Sequence, residues 1–98
     1  MKELSFREKV FEAVRLIPEG QTRSYGQIAE QIGCPGGARA VGNALHTNTS
    51  PYNAPCHRVV HSYGRLAEAY AFGGKDVQRK RLESEGVIIR NNKVVKKM

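Results

Sequence analysis

Apolar residues recur at helical spacing near the start of the chain. Residues 6–17 carry them one, three or four positions apart, which predicts an amphipathic helix over that range. Ser5 and Glu8 stand at its start in the order of a capping box. The predicted apolar face consists of Phe6, Val10, Phe11, Val14 and Ile17.

A second helix start lies at Ser24, because Gln27 follows three residues later and apolar positions continue to Ile32. Residues 33–37 contain several helix breakers, and the small residues of 38–45 predict a third helix. Two short helices joined by a glycine-containing turn are the signature of a helix-turn-helix, with the second helix as the recognition helix. Helical hairpins that bind nothing share this pattern.

The two valines at 59–60 predict a short strand, residues 62–64 a turn, and residues 65–67 a returning strand. This pair of strands would form a wing after the helix-turn-helix. The expected fold class is therefore mainly α with small β, a winged helix-turn-helix.

Helical character returns over residues 76–83, with Gly86 placed just beyond the helix end. Residues 87–90 and 93–95 flank Asn91-Asn92, which predicts a C-terminal hairpin because asparagine tolerates left-handed backbone. We expect one domain over residues 1–98.

Charge narrows the choice of partner. Lys and Arg number 16 against 9 Asp and Glu, so the net charge is +7 on 98 residues. Such an excess on a short chain points to a polyanion, with nucleic acid as the first candidate. No apolar run approaches the roughly 20 residues of a membrane span, and no signal-peptide pattern follows Met1. We therefore expect a cytoplasmic protein that does not bind membranes.

The cysteines and histidines give no metal pattern. Cys34 and Cys56 are too few for a disulfide scaffold, and neither lies in a Cys-x-x-Cys pair. Cys34 lies in a Gly/Pro turn without a neighbouring acid or histidine, which indicates an incidental thiol. His46 and His61 lack regular ligand spacing and are interpreted as surface or hydrogen-bonded residues. We expect no metal site.

Cys56 has neighbours suited to nucleophilic chemistry. It follows a proline and precedes His57 and Arg58 at a loop-to-strand junction. Cationic or hydrogen-bonding groups lower the pKa of a thiol from about 8.5, and a histidine ring accepts its proton directly or through water. Glu83 and Glu85 are both candidates to orient His57. On residue types alone, a buried structural cysteine remains the alternative.

The run Pro55-Cys56-His57-Arg58-Val59-Val60 resembles the Pro-Cys-His-Arg-Val active-site motif of the O6-alkylguanine-DNA alkyltransferase family. Residues 24–29 resemble the first helix-turn-helix element of that family, and residues 38–42 resemble its recognition helix. Asn48 stands where the family carries a hinge asparagine. The resemblance runs from about residue 5 to residue 86 and covers the family's C-terminal catalytic domain.

The resemblance implies binding to double-stranded DNA that contains O6-alkylguanine, by way of the minor groove. Arg39 resembles the arginine finger that replaces the flipped base, and Tyr25 resembles the tyrosine that rotates the nucleotide out. The recognition helix would approach DNA closely through its small residues, Ala38, Ala40 and Gly42.

The resemblance also implies the chemistry. Cys56, activated by His57 and by Glu85 as the acid of a Cys–His–water–Glu relay, attacks the alkyl carbon and keeps the alkyl group as a thioether. Backbone carbonyls at Cys56 and Val59 would bind the exocyclic amine of the base. One turnover per molecule follows, without a cofactor. The pocket for the base is expected at Leu45, Pro51, Arg58, Val59 and Tyr70.

Residues 76–81 and 85–87 resemble the alkyltransferase-like proteins, which bind alkylated DNA, flip the base and recruit excision repair but lack the cysteine. A non-enzymatic lesion sensor is therefore the alternative to alkyl transfer, with excision-repair proteins as its partners. A winged-helix transcription factor is a third hypothesis, but it gives no reason for the Pro-Cys-His-Arg run. We expect a monomer.

Overall fold

The computed structural model describes residues 4–48, 54–67, 70 and 72–95. Its first helix, α1, spans Phe6–Arg15. The capping box is confirmed, because the Glu8 amide donates to Ser5 Oγ at 3.1 Å and the Ser5 amide donates to Glu8 Oε1 at 3.2 Å. The helix ends two residues before the predicted position. Pro18 accounts for this, since a proline disfavours helical backbone in the residue that precedes it.

The two helices of the predicted helix-turn-helix are confirmed as elements. Strand β1 (Arg23–Ser24) leads directly into α2 (Tyr25–Gln31), and α3 spans Ala38–Leu45. The turn between the helices needs a glycine at one position. A Cβ on Gly37 would lie 2.9 Å from the carbonyl oxygen of Cys34, to which the Gly37 amide donates at 2.9 Å.

The strand at 59–60 is confirmed as β2 (Val59–Val60), but its partner differs from the predicted wing. It pairs in parallel with β1, with Arg23 opposite Val59. Residues 65–67 turn instead toward the C-terminal hairpin, where Arg65 forms an isolated antiparallel bridge with Lys93. The reason is burial: both valines of β2 lie in the core, so β2 lacks the solvated face that a wing strand presents.

The C-terminal part follows the prediction closely. Helix α4 spans Gly74–Ser84, and Gly86 beyond its end has φ +88°. The hairpin joins β3 (Ile89–Arg90) to β4 (Lys93–Val94). Asn91 and Asn92 have φ of 52° and 60°, which is the left-handed pair of a type I′ turn.

Neighbouring residues of β2 face two apolar clusters, because successive strand residues point to opposite sides. Val59 belongs to the cluster under α1, α2 and α3, which also contains Cys56 and Tyr70. Val60 belongs to a smaller cluster with Leu82 of α4. The segment from Cys56 to Val60 is therefore embedded between the two cores. Within the described residues, no helix has the length and apolar character to cross a membrane.

Candidate active site and nucleic-acid interface

The Cys56 thiol lies at the start of a 3₁₀ turn, Cys56–Arg58, that leads into β2. Only 6% of the residue is exposed. Asn48 Nδ2 donates to Cys56 Sγ at 3.0 Å and contacts the Ala54 carbonyl oxygen at 3.5 Å. Burial raises the pKa of the Cys56 thiol, and the hydrogen bond from Asn48 opposes that shift. The resting thiol is neutral, so it needs a base before it can act as a thiolate.

The next residue supplies an imidazole. His57 Nε2 lies 2.9 Å from Glu85 Oε2. Burial lowers the pKa of His57, although the contact with Glu85 raises it in part. A neutral ring that contacts a carboxylate through Nε2 carries its hydrogen there, so Nδ1 has the free lone pair. His57 Nδ1 is buried and has no hydrogen-bond partner among the described residues.

A guanidinium holds the carboxylate in place. Arg58 Nε and Nη2 donate to Glu85 Oε1 and Oε2 at 3.0 and 2.6 Å, and Arg58 Nη1 donates to the Ile17 carbonyl oxygen at 2.8 Å. Burial alone would raise the pKa of Glu85, but the hydrogen bonds from Arg58 and His57 outweigh it and lower the pKa to about 2. Glu85 is therefore ionised at all ordinary pH values.

These contacts decide between two acids. Of the two carboxylates that the sequence left open, Glu85 contacts His57, whereas Glu83 is exposed on α4. They also change the interpretation of Arg58, which the resemblance grouped with the base pocket. Its guanidinium turns to Glu85 and Ile17 because a bidentate carboxylate is the strongest partner within its reach.

Four of the predicted DNA-binding residues share one surface cavity. Its volume is about 340 Å³, and Tyr25, Ala38, Arg39 and Gly42 line it. Arg39 is exposed at the start of α3, and Ala40 is exposed on the same helix. Three further residues complete the lining: Asn43, His46 and His61.

Tyr25 connects this cavity with the thiol. Its ring lies 5.2 Å from the ring of His61, measured between centroids. Burial, followed by the charge of an ionised Cys56, raises the pKa of Tyr25 to about 12. Tyr25 therefore remains a neutral hydroxyl, within electrostatic range of the sulfur.

Some of the residues expected to form the base pocket lie close together in the structure. Leu45, Val59 and Tyr70 lie in the same apolar cluster as Cys56. The Tyr70 hydroxyl is buried, and it has no partner within the part of the chain that the structure describes. Pro51 lies outside the described residues.

Sequence reasoning missed several residues of these sites. Asn43, His46 and His61 line the cavity, yet His46 and His61 carry no motif and Asn43 lies in a run of small residues. Gln78 of α4, which is fully buried and contacts His57 and Val59, gave no signal because most residues around it in the sequence are charged. Cys34 is half-buried in its turn, as a thiol. Over the described ranges, no three acidic, histidine or cysteine side chains cluster in a way that could hold a metal ion.

Two short helices joined by a tight turn, with an exposed arginine at the start of the second, are typical of a class of DNA-binding domains. Comparison with known proteins agrees. The family model described as "6-O-methylguanine DNA methyltransferase, DNA binding domain" matches residues 5–87, and the chain belongs to this family.

The relatives and solved structures differ in how much of each the chain covers. The methylated-DNA–protein-cysteine methyltransferase of Mycobacterium bovis is 49% identical over 76 residues, which is 78% of this chain and 44% of the relative. The chain thus spans less than half of the length of that relative.

Two solved structures are similar in fold. The S. pombe Atl1 structure, in complex with damaged DNA containing O6-carboxymethylguanine, has a TM-score of 0.80 at 39% identity. This match covers 92% of the present chain and 83% of the Atl1 chain. The Mycobacterium tuberculosis OGT structure in complex with DNA has a TM-score of 0.76 at 44% identity. This match covers 87% of the present chain and 51% of the OGT chain.

Proposed function

We propose that this protein repairs DNA by flipping O6-alkylguanine out of the duplex and transferring the alkyl group irreversibly to Cys56. The observation that carries the proposal is the hydrogen-bonded set around the thiol. Asn48 donates to the sulfur, and His57 is oriented by Glu85, which is ionised at neutral pH. A cysteine that served only to fill the core would need neither contact.

Binding begins with phosphate contacts. A net charge of +7 releases counterions from the duplex and offsets the few kcal/mol that base extrusion costs. Arg39, exposed at the cavity, enters the space that the base leaves and stacks on its neighbours. Ala38, Ala40 and Gly42 bring the α3 backbone close to the groove, and Tyr25 assists the rotation of the nucleotide.

The transfer is a displacement at saturated carbon. His57 Nδ1 accepts the thiol proton, directly or through one water molecule, and Asn48 stabilises the thiolate. The sulfur–carbon bond forms as the carbon–O6 bond breaks, and the electron pair remains on the guanine, which takes up one proton. Glu85 stabilises the imidazolium, and Arg58 holds Glu85. The thioether is not reversed by thiols, so each molecule reacts once and needs no cofactor.

The base enters beside the thiol. In this proposal Leu45, Pro51, Val59 and Tyr70 form the pocket, and the carbonyl groups of Cys56 and Val59 accept hydrogen bonds from the exocyclic amine of guanine. One chain supplies every group named, within a single domain of residues 1–98, and the protein acts as a monomer in the cytoplasm.

A lesion sensor is the second candidate, favoured by one observation. The fold is similar to that of S. pombe Atl1 in complex with damaged DNA at a TM-score of 0.80, against 0.76 for the M. tuberculosis OGT in complex with DNA. As a sensor, the protein would bind and flip the damaged base without transfer and recruit excision-repair proteins. The two functions differ in the fate of Cys56.

Peptide mass spectrometry separates them, because trypsin places the two thiols on different peptides. Residues 24–39 carry Cys34 and residues 40–58 carry Cys56. After incubation with a duplex that contains O6-methylguanine, we expect one added methyl on peptide 40–58 and none on peptide 24–39. An unmodified peptide 40–58 in protein that binds the lesion tightly would support the sensor and exclude transfer.

A further inference from the structure

One buried amide ties the active-site segment to α4. Gln78 is fully buried, with 0% of the residue exposed. Its Nε2 donates to the carbonyl oxygens of Val59 and His57 at 2.8 and 3.1 Å. Its Oε1 accepts from the Ala67 amide at 2.7 Å. Both hydrogens of the amide and its oxygen are therefore used, and three segments converge on a single side chain.

The two carbonyl contacts fix more than packing. Each hydrogen bond restrains the rotation of one peptide plane, so Gln78 sets the direction of the Val59 carbonyl beside the thiol segment. A carbonyl oxygen has two lone pairs, and Gln78 uses one of them. Because Val59 is fully buried, the second lone pair can meet another donor only when the base has entered beside the thiol. A side chain that only filled space at this position would not need to donate hydrogen bonds to the carbonyl oxygens of both His57 and Val59.

We propose that Gln78 is a positioning and specificity-determining residue, which holds the Val59 carbonyl so that it accepts a hydrogen bond from the 2-amino group of the flipped guanine. This inference rests on the proposed function, since it assumes that the base enters beside Cys56. It adds that selection of guanine depends on a helix residue that does not touch the base.

Paired substrates measure this role directly. Duplexes with O6-methylguanine and O6-methylhypoxanthine differ only in the 2-amino group of the lesion. We expect the natural protein to react faster with O6-methylguanine, by about fivefold for one hydrogen bond. Gln78→Met retains the length of the side chain and Gln78→Leu retains most of its bulk, and neither variant has a hydrogen-bond donor. Both variants should bring the ratio of single-turnover rate constants close to one.

Two controls separate positioning from loss of stability. Leu82→Ala removes a fully buried side chain from the same helix, in the cluster on the other face of β2, and should lower stability while leaving the ratio unchanged. Gln78→Lys restores a donor toward the two carbonyls and should recover part of the ratio. It also keeps the inference testable if the Met and Leu variants fail to fold.

The inference is overturned if either folded variant without donors keeps the natural ratio, or if Leu82→Ala loses it. If the natural protein transfers no methyl group, the same ratio is taken from the dissociation constants of the two duplexes. Failure of alkyl transfer then appears as an unmodified Cys56, whereas failure of this inference appears as a ratio that does not respond to Gln78.

Discussion

The relay at Cys56 and the cavity at α3 are built in opposite ways. Around the relay, buried groups are paired at short distances: Asn48 with Cys56 at 3.0 Å and His57 with Glu85 at 2.9 Å. At the cavity, Arg39 and His61 are exposed to water. The hydrogen bonds of the proposed relay are therefore formed in the free chain, as electrostatic preorganisation would require. The cavity keeps its charge available for a polyanion.

This contrast implies that chemistry and binding are separable. Substitutions in the relay should change the rate of transfer with little effect on DNA affinity. Substitutions at the cavity should act on binding and base extrusion. Tyr25 belongs to both regions, because its ring lines the cavity and its hydroxyl lies in electrostatic range of the thiol.

His57→Gln should have the largest effect of the following variants. Without the imidazole, the neutral buried thiol has no base, and we expect the single-turnover rate constant to fall by about 10²–10⁴-fold. Affinity for the lesion duplex should change less than about twofold. Quenched-flow assays measure the rate constant, and fluorescence anisotropy measures the affinity. An unchanged rate constant would eliminate the relay and with it the contrast between the two regions.

The pH dependence of the same assay has a defined direction. Because burial lowers the pKa of His57 from 6.5, the ring remains a base at and somewhat below pH 6.5. The rate constant of the natural protein should hold through pH 6.5 as the pH falls and decline only below it. A decline that begins above pH 7 would show that a different group controls proton removal.

Arg39→Ala should act on the cavity side. The exposed guanidinium serves both a phosphate-rich surface and the gap left by the flipped base, but only the second role is specific to the lesion. We expect processing of the lesion to fall about tenfold more than affinity for undamaged duplex. Lys80→Ala, which removes an exposed cation from α4, is the matched control and should reduce neither by that margin. Equal losses in processing and affinity for Arg39→Ala would argue against the finger role.

The smallest of the expected effects is on stability, and Glu85→Gln measures it. The pKa of Glu85 is lower in the folded chain than the ordinary 4.5, so its contribution to the free energy of unfolding is complete above pH 4.5 and is lost as the pH falls toward about 2. We expect the variant to be less stable by about 2 kcal/mol at pH 7. Chemical denaturation across this range should show the difference shrinking between pH 4.5 and 2, and a constant difference would contradict the ionised pairing.

Local signals predicted local structure. The capping boxes at Ser5 and Ser24 fix the starts of α1 and α2 through bonds between residues three apart, and Asn91-Asn92 fixes the hairpin turn. The predicted pairing of the wing was wrong because strand partners depend on tertiary packing. Arg23 of β1 pairs with Val59 of β2, which lies 36 residues later in the chain. Nothing local in Val59-Val60 specifies a parallel partner.

The site shows the same limit. The run at Cys56 marked the thiol and its histidine, since those residues are adjacent. Residue types alone did not distinguish Glu85 from Glu83. The choice depends on where α4 ends, because the residue just beyond the helix end is the one whose carboxylate faces His57. Gln78 and His61 reach their sites only after α4 and β2 have packed, so no spacing in the sequence indicated them.

The central claim is that Cys56 itself accepts the alkyl group. The direct measurement is the intact mass of the protein after incubation with a tenfold excess of duplex containing O6-methylguanine. The account predicts an increase of one methyl group per chain that does not grow with time or excess, and no increase for Cys56→Ala, which still binds the duplex. An unchanged mass in the natural protein, or methylation that persists in Cys56→Ala, would contradict it.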